Sequence, residues 1–169
     1  MKVLGIVLSL VSTSLWSAQT CVSSVVSTTP TARFSVNADD TVTDTATDLM
    51  WQRCSYGQTF SSGSQSCTGT AQQLNWQQAL TVAENDEFAD FKDWHVPSVK
   101  ELASIVEHQC VEPAANTSVF TETLDENYWS STTAIKQIDH AWAYQFADGK
   151  NNIKAKTSDI FLRLVRYSK

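Results

Sequence analysis

The sequence predicts an α+β domain with a mainly antiparallel sheet and two helices. Three observations predict it. Alternating apolar and polar residues mark 34–36 and 41–43, residues 49–53 read as a third strand, and the alternation returns in the last third, at 128–133, 140–146 and 160–166. Between them lie two stretches with helical spacing of apolar residues, each opened by a capping pair. Strands gathered on either side of a helical block build α+β layers, whereas a regular strand–helix alternation would build a parallel sheet.

The chain starts with a segment that reads as a leader. Lys2 supplies a positive start, residues 3–11 are apolar apart from Gly5 and Ser9, and Ser17-Ala18 offers a small-residue exit. This layout is that of a signal peptide over residues 1–18, with cleavage after Ala18. The apolar run is too short to span a bilayer, which takes about 20 residues. Ala18-Gln19-Thr20 before Cys21 lacks the small and aliphatic residues of a lipidation site. The expected location is periplasmic, secreted or cell-surface.

Residues 19–33 read as an extended lead-in and 34–169 as the domain. Phe34-Ser35-Val36 and Thr41-Val42-Thr43 form an expected hairpin around Asn37-Ala38-Asp39-Asp40. Residues 49–53 are a third strand. The segment between Cys54 and Cys67 is rich in Ser and Gly and reads as a loop without a core. The first helix starts at Trp76, capped by Asn75 with Gln78 in reply; Trp76, Ala79, Leu80 and Ala83 form its apolar stripe. Residues 85–93 end it. The second helix follows Pro97, capped by Ser98 with Glu101 in reply, and is expected to end near His108. Asp148-Gly149 is a turn dipeptide between late strands.

Cys21, Cys54, Cys67 and Cys110 are an even number, as in disulfide-bonded exported proteins. They allow three pairings. Cys54–Cys67 is favoured because it clasps the Ser/Gly loop, a closure that stabilises by about 3 kcal/mol. Cys21–Cys110 then ties down the lead-in. Zinc at His108 and Cys110 has the wrong spacing.

The chain carries a net charge of −6 with 12 basic and 18 acidic side chains; without Lys2 the remainder carries −7. Phosphate backbones demand clustered cations, so no nucleic-acid partner is expected. No membrane span is expected either, and the oligomeric state is left open.

Several motifs occur in order: Thr41-Val42-Thr43-Asp44, Leu49-Met50-Trp51-Gln52-Arg53-Cys54, Gly57-Gln58, Trp76-Gln77-Gln78-Ala79-Leu80 and Trp94-His95-Val96-Pro97-Ser98-Val99-Lys100-Glu101-Leu102. Tyr128-Trp129-Ser130-Ser131-Thr132, Phe146-Ala147-Asp148-Gly149 and Arg163-Leu164-Val165-Arg166 follow. The series, over roughly residues 34–167, resembles the Lcl C-terminal domain family of exported bacterial domains. The resemblance implies a C-type-lectin-like fold, similar to that of the formylglycine-generating enzymes, and a role in adhesion or surface recognition. The chain departs from the family pattern at Asp40 and Asp48, where glycine is usual, and at His95, where arginine is usual. The first two imply altered turn shapes. The third implies a pH-dependent partner in place of a permanent ion pair.

The expected function is an exported, non-catalytic binding or adhesion module for a glycan or protein ligand. A structural or assembly subunit of a surface appendage or secretion system is the alternative, and an enzyme of the same fold the third reading. Trp51, Trp76, Trp94 and Trp129 are expected in the core. Trp142, with Tyr144 and His140 on one alternating strand, is the candidate ligand surface. Asp39, Asp40, Asp44 and Asp48 could supply oxygens to calcium, although turn formation explains them equally; no other cofactor is expected. No nucleophile motif such as Gly-x-Ser-x-Gly is present. Cys54 and Cys67 read as a clasp and not as a redox pair, and Glu101 could pair with Arg163 or Arg166 as a structural ion pair, not a site.

Overall fold

The structure, a computed structural model, describes residues 18–169. Residues 1–17 of the expected 1–18 leader lie outside the described residues. The elements run β1 (Thr20–Cys21), β2 (Phe34–Val36), β3 (Thr41–Asp44), β4 (Leu49–Gln52), β5 (Gln58–Ser61), β6 (Ser66–Gly69), α1 (Trp76–Asn85), α2 (Val99–Ala103), β7 (Cys110–Val111), β8 (Asn127–Thr133), β9 (His140–Gln145), β10 (Lys150–Ala155) and β11 (Val165–Tyr167). One sheet has the order β11-β4-β3-β2 and another β10-β9-β8, while β1 pairs with β7 and β5 with β6. Every pairing between these strands is antiparallel, while the isolated bridge from Tyr128 to Phe161 is parallel. The fold is α+β, and no described helix is long and apolar enough to cross a membrane.

Both helices begin where their capping pairs place them. Asn75 Oδ1 accepts from Gln78 N at 3.0 Å while Gln78 Oε1 accepts from Asn75 N at 2.9 Å. Ser98 Oγ accepts from Glu101 N, and Glu101 Oε2 accepts from Ser98 N at 2.6 Å. Each reciprocal pair satisfies two donors that a helix start leaves orphaned. Glu101 does not reach Arg163 or Arg166; its partner is His95, with Nε2 3.3 Å from Oε1. The His95 contact, against the cost of burial and with help from Ser98, holds the Glu101 carboxyl at about 2.

Helix α2 stops at Ala103 and not near His108. Ser104 Oγ donates to Glu101 O, and Glu107 N turns away to Ala114 O. Those bonds divert the backbone groups a longer helix would need. The C-terminal strand is also shorter than expected. Residues 160–164 run irregularly, with bridges from Ile160 to Leu74 and from Phe161 to Tyr128, before Val165 pairs with Trp51. The Cys54–Cys67 segment is not a plain loop: it carries β5 and the start of β6, which pair as a hairpin ending at Gly69. Asp40 and Asp48 take φ of 62° and 55°. They therefore adopt the left-handed backbone that glycine would, which Asp tolerates better than most residues; the turn shape survives the loss of glycine.

Two core clusters hold the layers together. One gathers Trp51, Leu102, Ile105, Phe120, Tyr128 and Phe146; the other gathers Ala79, Ala83, Trp94, Trp129, Leu162 and Leu164. Trp51 and Trp129 are wholly buried and Trp94 nearly so. Trp76 is half-buried, with Nε1 donating to Ser130 O. Disulfides join Cys54 to Cys67 and Cys21 to Cys110, and none of the described cysteines is free.

The lead-in is fastened more firmly than its composition predicts. The buried Glu107 carboxylate accepts from Ser27 Oγ at 2.5 Å, from the backbone amides of Thr28, Thr29 and Gln109, and from Thr29 Oγ1. Burial works against its ionisation, but these donors hold the carboxyl at about 2, down from 4.5. A depressed carboxyl pKa contributes stability above pH 4.5, and that contribution is lost as pH falls from 4.5 towards 2. The full shift corresponds to about 3 kcal/mol. Urea unfolding between pH 6 and pH 2 should therefore show a steeper loss in the native protein than in Glu107→Gln. Equal slopes would mean the carboxylate does not anchor the lead-in.

Candidate functional site

Strand β9 presents His140, Trp142 and Tyr144 on one face, as alternation requires. They do not share an environment. Tyr144 enters the core beside Tyr128 and Phe146, because the segment from α2 through Val106 lies over that end of the sheet. Its side chain is buried and does not line the groove beside Trp142. His140 Nδ1 lies 2.9 Å from Asp139 Oδ1, at the rim. Trp142 is half-buried and sits directly opposite Ile153 of β10.

Beyond α2 this face of the sheet is open. The 134–139 loop between β8 and β9 rises beside Trp142 and closes a groove of about 600 Å³, lined by Ala134, Ile135, Lys136, Gln137, Trp142 and Ile153. Ile135 is 91% exposed and Ile138 of the same loop 77%. The loop is not slack. Ala134 N donates to His140 O, Gln137 N to Ala134 O, and His140 N to Gln137 O. The backbone is pinned in a shape that turns two isoleucines out. Scattered exposed apolar residues are ordinary; here they gather into one apolar concavity beside a tryptophan.

The sequence pointed to Trp142 and His140 and missed Ile135, Ile138, Lys136 and Ile153. The available signal was weak: an Ile-Lys-Gln-Ile linker between strands and one isoleucine within a polar strand.

The four aspartates do not assemble. Asp44 is buried and receives Arg33, with Nε donating to Oδ1 at 2.6 Å and Nη2 to Oδ2. Burial opposes its ionisation, but Arg33, Thr47 and Ala46 hold its pKa down. Asp39 accepts from Thr41 N and Oγ1, and Asp48 pairs with Lys169. Strand β3 separates the turn bearing Asp39 and Asp40 from the turn bearing Asp48, a span of about 13 Å for four residues. Among the described residues no three of His, Cys, Asp or Glu form a group able to hold a metal.

A second, polar recess of about 250 Å³ lies between β5 and the end of α1, lined by Asp40, Gln52, Tyr56, Gln58, Gln72 and Asp86 among others. Burial pushes the Asp86 carboxyl up, opposed by Gln52 Nε2, which donates to it at 2.5 Å. Burial, and then Asp86, push the Tyr56 hydroxyl up. Cys54, also in its wall, is held in a disulfide and offers no thiol.

No curated relative matches the chain at a significant level. The family model of the Lcl C-terminal domain matches residues 40–166, from the β2–β3 turn into β11, and so includes the β10-β9-β8 sheet, both helices and the Trp142 groove but not β2. The protein belongs to the Lcl C-terminal domain family.

Proposed function

We propose that this protein is an exported, non-catalytic binding module that recognises its ligand through the Trp142 groove. The observation that carries this reading is the pinned 134–139 loop, which holds Ile135 and Ile138 in water beside a half-buried tryptophan. A fold gains nothing by displaying two isoleucines there; a partner that covers them gains about 25 cal/mol for each Å² of apolar surface removed from water. Export is supported by two disulfides, which persist in oxidising compartments, and by the leader-like residues 1–18.

The test is a combined glycan and peptide array probed with the purified, oxidised protein and with Trp142→Ala. Aromatic anchors in a contact surface typically account for about 2 kcal/mol or more of binding. The variant should therefore lose at least about tenfold in affinity for any captured ligand. Its unfolding midpoint should stay close to that of the native protein, because the ring is only half-buried. Capture unchanged by Trp142→Ala would refute the assignment.

A further inference from the structure

The groove adjoins an unpaired strand edge. Strand β10 is the last in the order β10-β9-β8. Lys156 N donates to Asp139 O. With the register of the hairpin, this makes Lys154↔Ala141, Asn152↔Ala143 and Lys150↔Gln145 the hydrogen-bonded pairs. The backbone N–H and C=O groups of Asn151 and Ile153 therefore point away from β9. Both residues are exposed, and among the described residues those groups have no hydrogen-bond partner. The free edge thus offers two donors and two acceptors spaced for a new strand, centred on the residue that faces Trp142.

The two faces of this edge differ chemically. Ile153 lies on the groove side, with Trp142 opposite and Ile135 nearby. Lys150 and Lys154 lie on the other side. Lys154 has no ion-pair partner among the described residues, and Lys150 has only the exposed Asp148 at 2.8 Å. The local charge runs against that of the molecule. Residues 134–156 hold four lysines and two aspartates, a net +2, while the rest of 19–169 carries −9.

We propose that the groove and the β10 edge form one strand-addition site for an extended peptide with alternating apolar and acidic residues. This rests on the groove reading above and names the ligand class. The peptide backbone pairs with Asn151 and Ile153. Its apolar side chains cover Ile153 and Trp142, and its acids stand across from Lys150 and Lys154. Backbone pairing supplies affinity in this mode, and the side-chain faces supply specificity; opposite charges across a strand pair favour the register and like charges oppose it. A second copy of this chain is a poorer occupant. Antiparallel β10–β10 pairing would set two lysine-bearing faces against each other on bodies that already repel.

The test uses short fluorescent peptides and the oxidised protein at low salt. One peptide alternates valine with glutamate, one alternates valine with lysine, and the third is the glutamate peptide N-methylated at every second amide, made in both registers. The glutamate peptide should bind about tenfold or more tighter than the lysine peptide, and raised salt should weaken it. N-methylation in one register should cost about tenfold or more. So should Ile153→Pro, which removes an outward N–H without touching the β9 ladder. The N-methylated peptides keep the test valid should that variant unfold.

Equal binding of the acidic and basic peptides, or indifference to both N-methylated registers, overturns strand addition. So does self-association in sedimentation that is lost in Ile153→Pro. Array capture that depends on Trp142 while no peptide binds overturns strand addition and keeps the groove. Peptide binding unaffected by Trp142→Ala overturns the groove reading itself.

Discussion

Arg163→Ala lowers the stability of the protein by about 3–5 kcal/mol, the range for leaving buried polar groups without their charged partner. Arg163 is 1% exposed. Its Nη1 donates to the carbonyls of Gln52, at 3.1 Å, and of Arg53, and its Nη2 donates to Thr123 Oγ1 at 3.0 Å. Cζ stands 5.1 Å from the Phe120 ring centroid. Among the described residues no carboxylate pairs with it. The charge is held by carbonyl dipoles, a hydroxyl and an aromatic face, and burial pulls its pKa down. One guanidinium thereby joins the end of β4, the Thr123 turn and the 160–164 run, three segments far apart in sequence. Its loss strands two buried carbonyls and opens a cavity. Arg163→Lys should recover less than half of the loss, because an ammonium lacks the planar fork that reaches two segments at once. Urea unfolding followed by tryptophan fluorescence measures both. A loss under about 1 kcal/mol for the alanine variant would show that these bonds are replaced by water.

Trp94→Ala should cost a similar amount, about 3–5 kcal/mol for deleting a large buried aromatic. The ring is 3% exposed, and Nε1 donates to Phe88 O at 2.9 Å. Phe88 and Phe91 meet it edge-on, with centroids 6.0 and 6.4 Å away. Phe91 in turn carries the Arg166 guanidinium 3.9 Å above its centroid, and Arg166 Nε donates to Asp93 Oδ1 at 2.6 Å. The acidic 86–93 segment has no regular structure beyond one 3-10 turn at Phe88–Asp90. It is held to the body by this aromatic stack. Trp94→Phe should restore much of the packing but not the bond to Phe88 O, and so fall between the two. Native stability with lost ligand capture in Trp94→Ala would make the ring a contact residue instead.

What was legible in the sequence was what is encoded within a few residues. The capping pairs of Asn75 with Gln78 and of Ser98 with Glu101 formed where their spacing placed them. The hairpin of β2 with β3 appeared, and the two cysteine pairings followed from which loops lacked a core. The site was legible only in part. Alternation along β9 correctly put His140, Trp142 and Tyr144 on one face. It could not reveal that α2 and the following residues cover Tyr144 and leave Trp142 open.

By itself, then, the sequence determined the α+β class, the starts of both helices, the disulfide pattern and the acidic surface. The class, the helix starts and the charge are local preferences or properties of composition, and the Cys54–Cys67 clasp closes only a short loop; Cys21–Cys110 then takes the two cysteines that remain. Only the tertiary structure decided where α2 ends, which partners Glu101, Glu107 and Arg163 take, and which tryptophan faces water. Those outcomes depend on what lies across a gap in space from residues tens of positions away. A backbone donor or a half-apolar face goes to whichever distant group satisfies it at least cost in desolvation.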